Sequence, residues 1–370
     1  MKSQPFLVAV MAALLAMAST EQNTVRAERS DGTVYTMSNA AGGNRILAFD
    51  RAPNGTLTPA GSFATGGLGS GGGLGNQGGV MLSNNDRWLL AVNAGSNDLS
   101  LFAADDDDLH LVDRVASGGS QPVSVTIHRD LVYVLNAGSD NVSGFRLRRH
   151  GKLAPIPGSA RPLSGAGTGA AQVQFSLDGR VLVVTEKATN LIVTYEVDED
   201  GLLGPPQAQA SQGATPFGFA FGKRRRLFVS EAFGGAAGAS AVSSYRVTAD
   251  GTLHVISPSV ATHQTAACWV VVTEDDRFAY TANTGSGSIS GYEIGRDGTL
   301  TLLNPDGRTA DTGAGSEPID LALSDNGRWL FVLNSGTHTI GTFRILRNGQ
   351  LRPVATVGGL PASTNGLAGR

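Results

Sequence analysis

Seven related segments recur along the chain, and that repeat restricts the possible folds more than any other feature. "VYVLNAGSDNVSGF" (132–145) has counterparts at 34–49, 88–102, 181–195, 227–245, 278–292 and 329–343. Every copy ends on an aromatic residue: Phe49, Phe102, Phe145, Tyr195, Tyr245, Tyr292 or Phe343. Its first apolar run ends at Asn39, Asn93, Asn136, Glu186, Glu231, Asn283 or Asn334, giving a period of about 49 residues. A Gly-x-Leu turn follows the aromatic in six units, at Gly55, Gly151, Gly201, Gly251, Gly298 and Gly349. A further short run precedes the later units, as in "PVSVTI", "QVQFS", "FGFAF" and "PIDLALS", and often ends in a polar turn such as "SLDGR" or "SDNGR". Each repeat therefore holds four short strands bounded by turn residues.

Four strands at a spacing of 40–50 residues predict a β-propeller. A small sheet cannot cover both of its faces alone, but a closed ring of such sheets can. The expected fold is all-β: a seven-bladed β-propeller with four antiparallel strands per blade, spanning residues 31–370. Gly at 50 of 370 residues suits so many tight turns. The chain before Val34 is too short to supply an innermost strand for the first blade. Residues 360–368 are therefore expected to pair beside 33–39 and close the ring. The only cysteine is Cys268, so closure cannot rest on an intrachain disulfide, and the thiol is expected to be buried and inert.

Net charge is -3 and charged residues make up 16%, which gives no field for nucleic acid or an anionic membrane. Lys2 followed by the apolar stretch Phe6–Ala18, with small residues at Ala16 and Ala18, predicts a cleaved export signal over 1–18. About 13 apolar residues are too few to span a bilayer of roughly 30 Å. Residues 19–30 then form a flexible leader, and the mature protein is expected in the periplasm or secreted.

Label the strands of a blade A to D from the axis outward. The B–C turns and D–A connections share one face, and the Asn/Glu column lies there. The starts of the A strands (Gln121, Gln172, Thr215, Glu317) and the glycine-rich loop 66–79 lie there too. Asn in this column suits a turn. Glu186 and Glu231 break the pattern in adjacent blades, so two carboxylates near one axis are expected to line a shared pocket and to raise at least one pKa. The glycine-rich loop is no dinucleotide fingerprint, since no βαβ unit surrounds it. The six histidines lack metal-ligand spacing. "ADDDDL" (104–109) falls at a C–D turn, and "KRRR" (223–226) at an A–B turn on the opposite face. No cofactor and no metal are expected.

Blade units such as "FSLDGRVLVVTEKATNLIVTYEVDEDGLL" and "DRFAYTANTGSGSISGYEIGRDGTL" resemble the lactonase-type seven-bladed propellers, which include 6-phosphogluconolactonase and the carboxymuconate-lactonizing enzyme. The asparagine-ended strands also resemble surface-layer propeller repeats. The lactonase resemblance implies lactone hydrolysis at the B–C face. In "VVTEKA", Glu186 matches the family glutamate. Ala171 and Gln172 stand where the family carries arginine and histidine, and Thr284 stands where it carries a second arginine. Hydrolysis needs an activated water and an oxyanion donor. The resemblance therefore implies Glu186 as the catalytic base, with Gln172, Glu231, Thr215, Asn283 and Asn136 around a substrate. The alternative is a non-catalytic exported propeller that binds a small polar molecule or a protein partner on the same face.

Overall fold

The computed structural model describes Met1 and residues 30–105 and 108–370. The expected export signal and leader, residues 2–29, lie outside the described residues, as do Asp106 and Asp107. Among the described residues no helix is long and apolar enough to cross a membrane.

The repeat becomes seven antiparallel sheets. Blade three is typical: Pro122–His128, Leu131–Asn136, Asn141–Arg148 and Lys152–Pro155 pair in that order from the axis outward. The first three strands are buried almost throughout, and the outer strand is half exposed. That gradient matches the sequence, with continuous apolar runs inside and alternating ones at the rim. The aromatic that ends each unit sits on the third strand, and all seven are at most 4% exposed.

Closure occurs at the expected edge with a shorter strand. Asn365–Gly369 pairs with Thr33–Met37, placing Gly369 opposite Val34 and Asn365 opposite Met37. It begins five residues later than the sequence implied. Pro361 lacks an amide for a ladder, and its carbonyl instead accepts the Thr364 amide (3.0 Å) to make a turn. Leu360 is buried against blade seven, and its amide donates to His338 O (3.2 Å).

The recurrent Gly-x-Leu turn has a second role beyond chain reversal. Gly349 has φ of +80°, and a Cβ there would lie 2.5 Å from the ring of Phe278 in the neighbouring blade. Gly55 meets Trp329, and Gly151 meets Trp88, in the same way. The turn carbonyls also accept hydrogen bonds from the adjacent blade: Tyr133 Oη to Gly201 O (2.9 Å), Ser244 Oγ to Gly298 O (2.8 Å) and Tyr280 Oη to Gly349 O (2.8 Å). Each of these outer hairpins is thus latched onto the preceding blade.

Replacing Gly349 by Val should lower unfolding stability by roughly 2–3 kcal/mol, through left-handed strain and lost inter-blade contact. Deleting 365–370 should do more, because it strips the first blade of its inner strand. Urea denaturation followed by tryptophan fluorescence measures both. An unchanged midpoint in either variant would contradict this account of how the blades are joined.

Candidate functional site

The Asn/Glu column is a set of braces. Six of its members end a second strand, whereas Asn39 lies two residues beyond Met37 with φ of +46°. Asn136 donates Nδ2 to Ser143 Oγ (3.1 Å) on the third strand and to Ser117 O (3.3 Å) in the D–A connection. Asn93 reaches Ser100 Oγ (2.8 Å), and Asn283 reaches Ser290 Oγ (2.9 Å). Asn136 and Asn283 are fully buried, so the structure presents neither to a ligand.

The two glutamates serve the same purpose with reversed polarity. Where the connection offers a carbonyl, as at Ser117, an amide donates to it. Where it offers N–H groups, a carboxylate accepts. Glu186 accepts from the Ser164 amide (3.0 Å), the Ser164 hydroxyl and Thr189 Oγ1 (2.7 Å). Glu231 accepts from the Gly213 amide (2.8 Å), Ser243 Oγ (2.5 Å) and Ser259 Oγ (2.7 Å). Both are fully buried. Burial pushes the Glu231 carboxyl above its ordinary range, against the pull of those donors. The expected shared pocket is not formed: no residue belongs to both cages, and neither carboxylate lines the central cavity. Strand B side chains near its end turn into the blade, toward strand C and the connection, rather than toward the axis.

The axis itself is crossed by the glycine-rich loop. Gln77 Nε2 donates to Val270 O (2.9 Å), and Val270 N donates to Gln77 Oε1 (3.1 Å), so the side chain pairs with the inner strand of blade six, Ala267–Val272. The Gln77 amide donates to Ala171 O (3.1 Å) in blade four, and Trp269 Nε1 donates to Asn76 O (2.7 Å). Val125 N donates to Gly78 O (2.9 Å) in blade three. In blade five Gly218 makes room, since a Cβ there would lie 2.0 Å from Gln77 Oε1. Lys187 Nζ donates to Gly75 O and lies 4.7 Å over the ring of Phe217. Burial lowers its pKa to about 8. Cys268 is buried beneath this region, which pushes its thiol up to about 12.

Gln172 takes part in the same tie system. Its Nε2 donates to Phe219 O (2.9 Å) and its Oε1 accepts from Phe219 N (2.7 Å), joining blades four and five. Both ends of the amide are occupied, so it is no free oxyanion donor. Thr215, half buried with φ of +58°, accepts at Oγ1 from Gly234 N (3.0 Å) within its own hairpin. Thr284 Oγ1 donates to Pro318 O (2.9 Å) of the next blade.

Below the plug lies a central well of about 590 Å³, lined by residues from six blades. Gln77 and Gly78 form its inner end, and the exposed turn residues Asn84, Glu274 and Asp325 stand at its mouth. It therefore opens on the A–B face, opposite the face expected from sequence. Its volume suits a small-molecule site, for which about 300–1,000 Å³ is usual. Asp320, on the inner strand Pro318–Leu323 of blade seven, lines it at 2% exposure. Backbone amides of Leu321 (2.8 Å) and Leu367 donate to its carboxylate. Burial nonetheless pushes its carboxyl well above the usual range. At the mouth, burial and then the facing Asp86 raise Asp325 to about 6. The lining contains no Lys, Arg or His among the described residues. Asp320 was not singled out in the sequence, where "PIDLAL" looks like any inner strand. Its one available signal was a carboxylate amid apolar residues.

A carboxyl held above its unfolded pKa binds its proton more tightly in the folded state. Its contribution to stability is therefore present below about pH 4 and is lost as pH rises through the folded pKa. Asp320→Asn should flatten that slope and raise the melting temperature at pH 8, while leaving it nearly unchanged at pH 4. Equal shifts at both pH values would contradict a buried, proton-holding carboxyl.

Comparison with known proteins adds the family. The profile described as "Lactonase, 7-bladed beta-propeller" matches residues 70–162, 156–232 and 222–357. No curated protein sequence matches the chain. Among solved structures, a Bacteroides uniformis protein named as a candidate 6-phosphogluconolactonase superposes with a TM-score of 0.72 at 18% identity, covering 90% of this chain and 99% of that one. A protein from Lactobacillus plantarum gives 0.72 at 17%, covering 92% and 99%. The periplasmic gluconolactonase of Pseudomonas aeruginosa gives 0.69 at 16%, covering 90% and 98%. Identities this low establish the shared fold and leave the chemistry to the residues. Strand order, ring closure and a profile match over most of its length place the chain in the lactonase family of seven-bladed β-propellers.

Proposed function

We propose that this protein is an exported propeller that binds a small polar molecule in its axial well, on the face opposite the Asn/Glu column. The observation that carries this reading is the contrast between two regions. Glu186 and Glu231 are sealed inside their blades, whereas the well is open, large enough for a small solute, and lined by carboxyls and amides set among apolar side chains. An anionic sugar phosphate would meet several carboxyl groups and no guanidinium, the opposite of what phosphate recognition requires. An uncharged or cationic solute fits the lining.

A second reading, hydrolysis of a lactone or related ester, is favoured by family membership and by Glu186 in register with the family glutamate. In that reading Glu186 is the base, and Gln172, Glu231, Thr215, Asn136 and Asn283 surround the substrate after the B–C loops part. Two variants separate the readings. Gln174→Trp fills the well from a half-buried position on its wall, and Glu186→Gln removes the proposed base. Solutes and lactones would be screened by calorimetry and by hydrolysis assays. The expected result is binding lost in Gln174→Trp, retained in Glu186→Gln, and no turnover. Lactone turnover that vanishes in Glu186→Gln and persists in Gln174→Trp would overturn the well as the site.

Export rests on Lys2 and the apolar stretch to Ala18. Sequencing of natively produced protein should find a new N-terminus near Ser19, and an intact Met1 would refute export by cleavage.

A further inference from the structure

We propose that the occupant of the well is a small organic cation, a primary alkylammonium, held by Asp320. This rests on the well being the ligand site.

The inner strands are joined by side chains at one equivalent position. Ser124 Oγ accepts from Val173 N (3.1 Å), and Gln172 pairs with Phe219. Asp320 occupies the matching place in blade seven, just past the register shift between Pro318 and Asp320, and receives the Leu367 amide. In blades three and four an uncharged side chain makes this tie. An Asn or Ser would serve equally in blade seven, without a buried acid. Burying a carboxyl with only backbone donors and no cation is costly. The tie explains a polar residue at this position, and the acidic group is left over from it.

The rest of the well is arranged around that charge. Asp86, Asp325 and Glu274 line its outer part, so the approach carries the same sign as Asp320. Arg51 and Arg370 act on Asp325 from the blade-one side, outside the lining formed by Met81, Phe221, Val271 and Leu323. Those apolar walls suit an alkyl body. Among the described residues no three His, Cys, Asp or Glu side chains are grouped to hold a metal ion, and the apolar walls favour an organic cation. When an ammonium enters, the Asp320 carboxyl gives up its proton to solvent and pairs as the carboxylate. The net change is one ion pair formed and one proton released.

Isothermal titration of the intact protein would use n-pentylammonium and 1,5-diaminopentane, with n-hexanol as the uncharged comparator and gluconate as the anion. Titrations at pH 7 in two buffers of different ionisation enthalpy would count protons. The expected result is binding of the amines at least tenfold tighter than the alcohol, no binding of gluconate, and proton release on amine binding. Asp320→Asn, checked for folding by its melting curve, should weaken amine binding at least tenfold and abolish the proton release. Gln174→Trp should block it. If n-hexanol binds as tightly as the amines, or if Asp320→Asn binds amines like the parent, the cation inference falls and the well stands as a site. If no probe binds in a manner sensitive to Gln174→Trp, both fall.

Discussion

Inner strands arranged around a propeller axis diverge and cannot form a continuous ladder with one another, so something else must tie them. Here side chains and one loop do it. Ser124, Gln172 and Asp320 each reach the backbone of the following inner strand. Gln77, arriving from the glycine-rich loop, fills the space that Gly218 leaves in blade five and ties Val270 of blade six to Ala171 of blade four. These bonds lie in a buried, low-dielectric place, where an unmade partner is expensive. Most of the remaining architecture follows from them. The plug closes one end of the axis, and the other end stays open as the well.

The Asn/Glu column shows how one repeat position can change residue type and keep its task. Five members, Asn39, Asn93, Asn136, Glu186 and Glu231, join a B–C hairpin to its D–A connection, while Asn283 and Asn334 reach only the third strand. Which residue serves depends on whether the connection offers a carbonyl or an N–H. Glutamate in this column is therefore a response to local polarity in the neighbouring segment, and its recurrence in blades four and five has a structural cause. The position resembling the family arginine is consistent with this arrangement: Ala171 is fully buried, and its carbonyl receives the plug.

Stability and ligand capacity oppose each other in the well. Structural ties around the axis are uncharged at Ser124 and Gln172, while Asp320 makes its tie with an acid whose pKa burial pushes well above the usual range. A fold selected only for stability would gain by removing it, and sites of this kind are where a protein departs from its stability optimum.

The amino-acid sequence by itself determined the ring. Seven copies of a four-strand unit, each ending on an aromatic and followed by a glycine turn, leave one closed arrangement, because local periodicity dictates strands and strands of this length must stack to bury their faces. It also determined that the C-terminus closes the first blade, since an inner strand was missing at one end and surplus at the other. The direction of side chains at strand ends was decided only by tertiary structure. Glu186 and Glu231 share a column in the sequence, yet they point into separate blades, because what a terminal side chain meets depends on a connection some twenty residues away in the chain. The plug was likewise illegible: "GLGNQGG" carries no periodicity, and Gln77 finds Val270 across the axis at a sequence separation of 193. Asp320 became visible as a site residue only when the fold placed its carboxyl, alone and without a cation, on the wall of an open cavity.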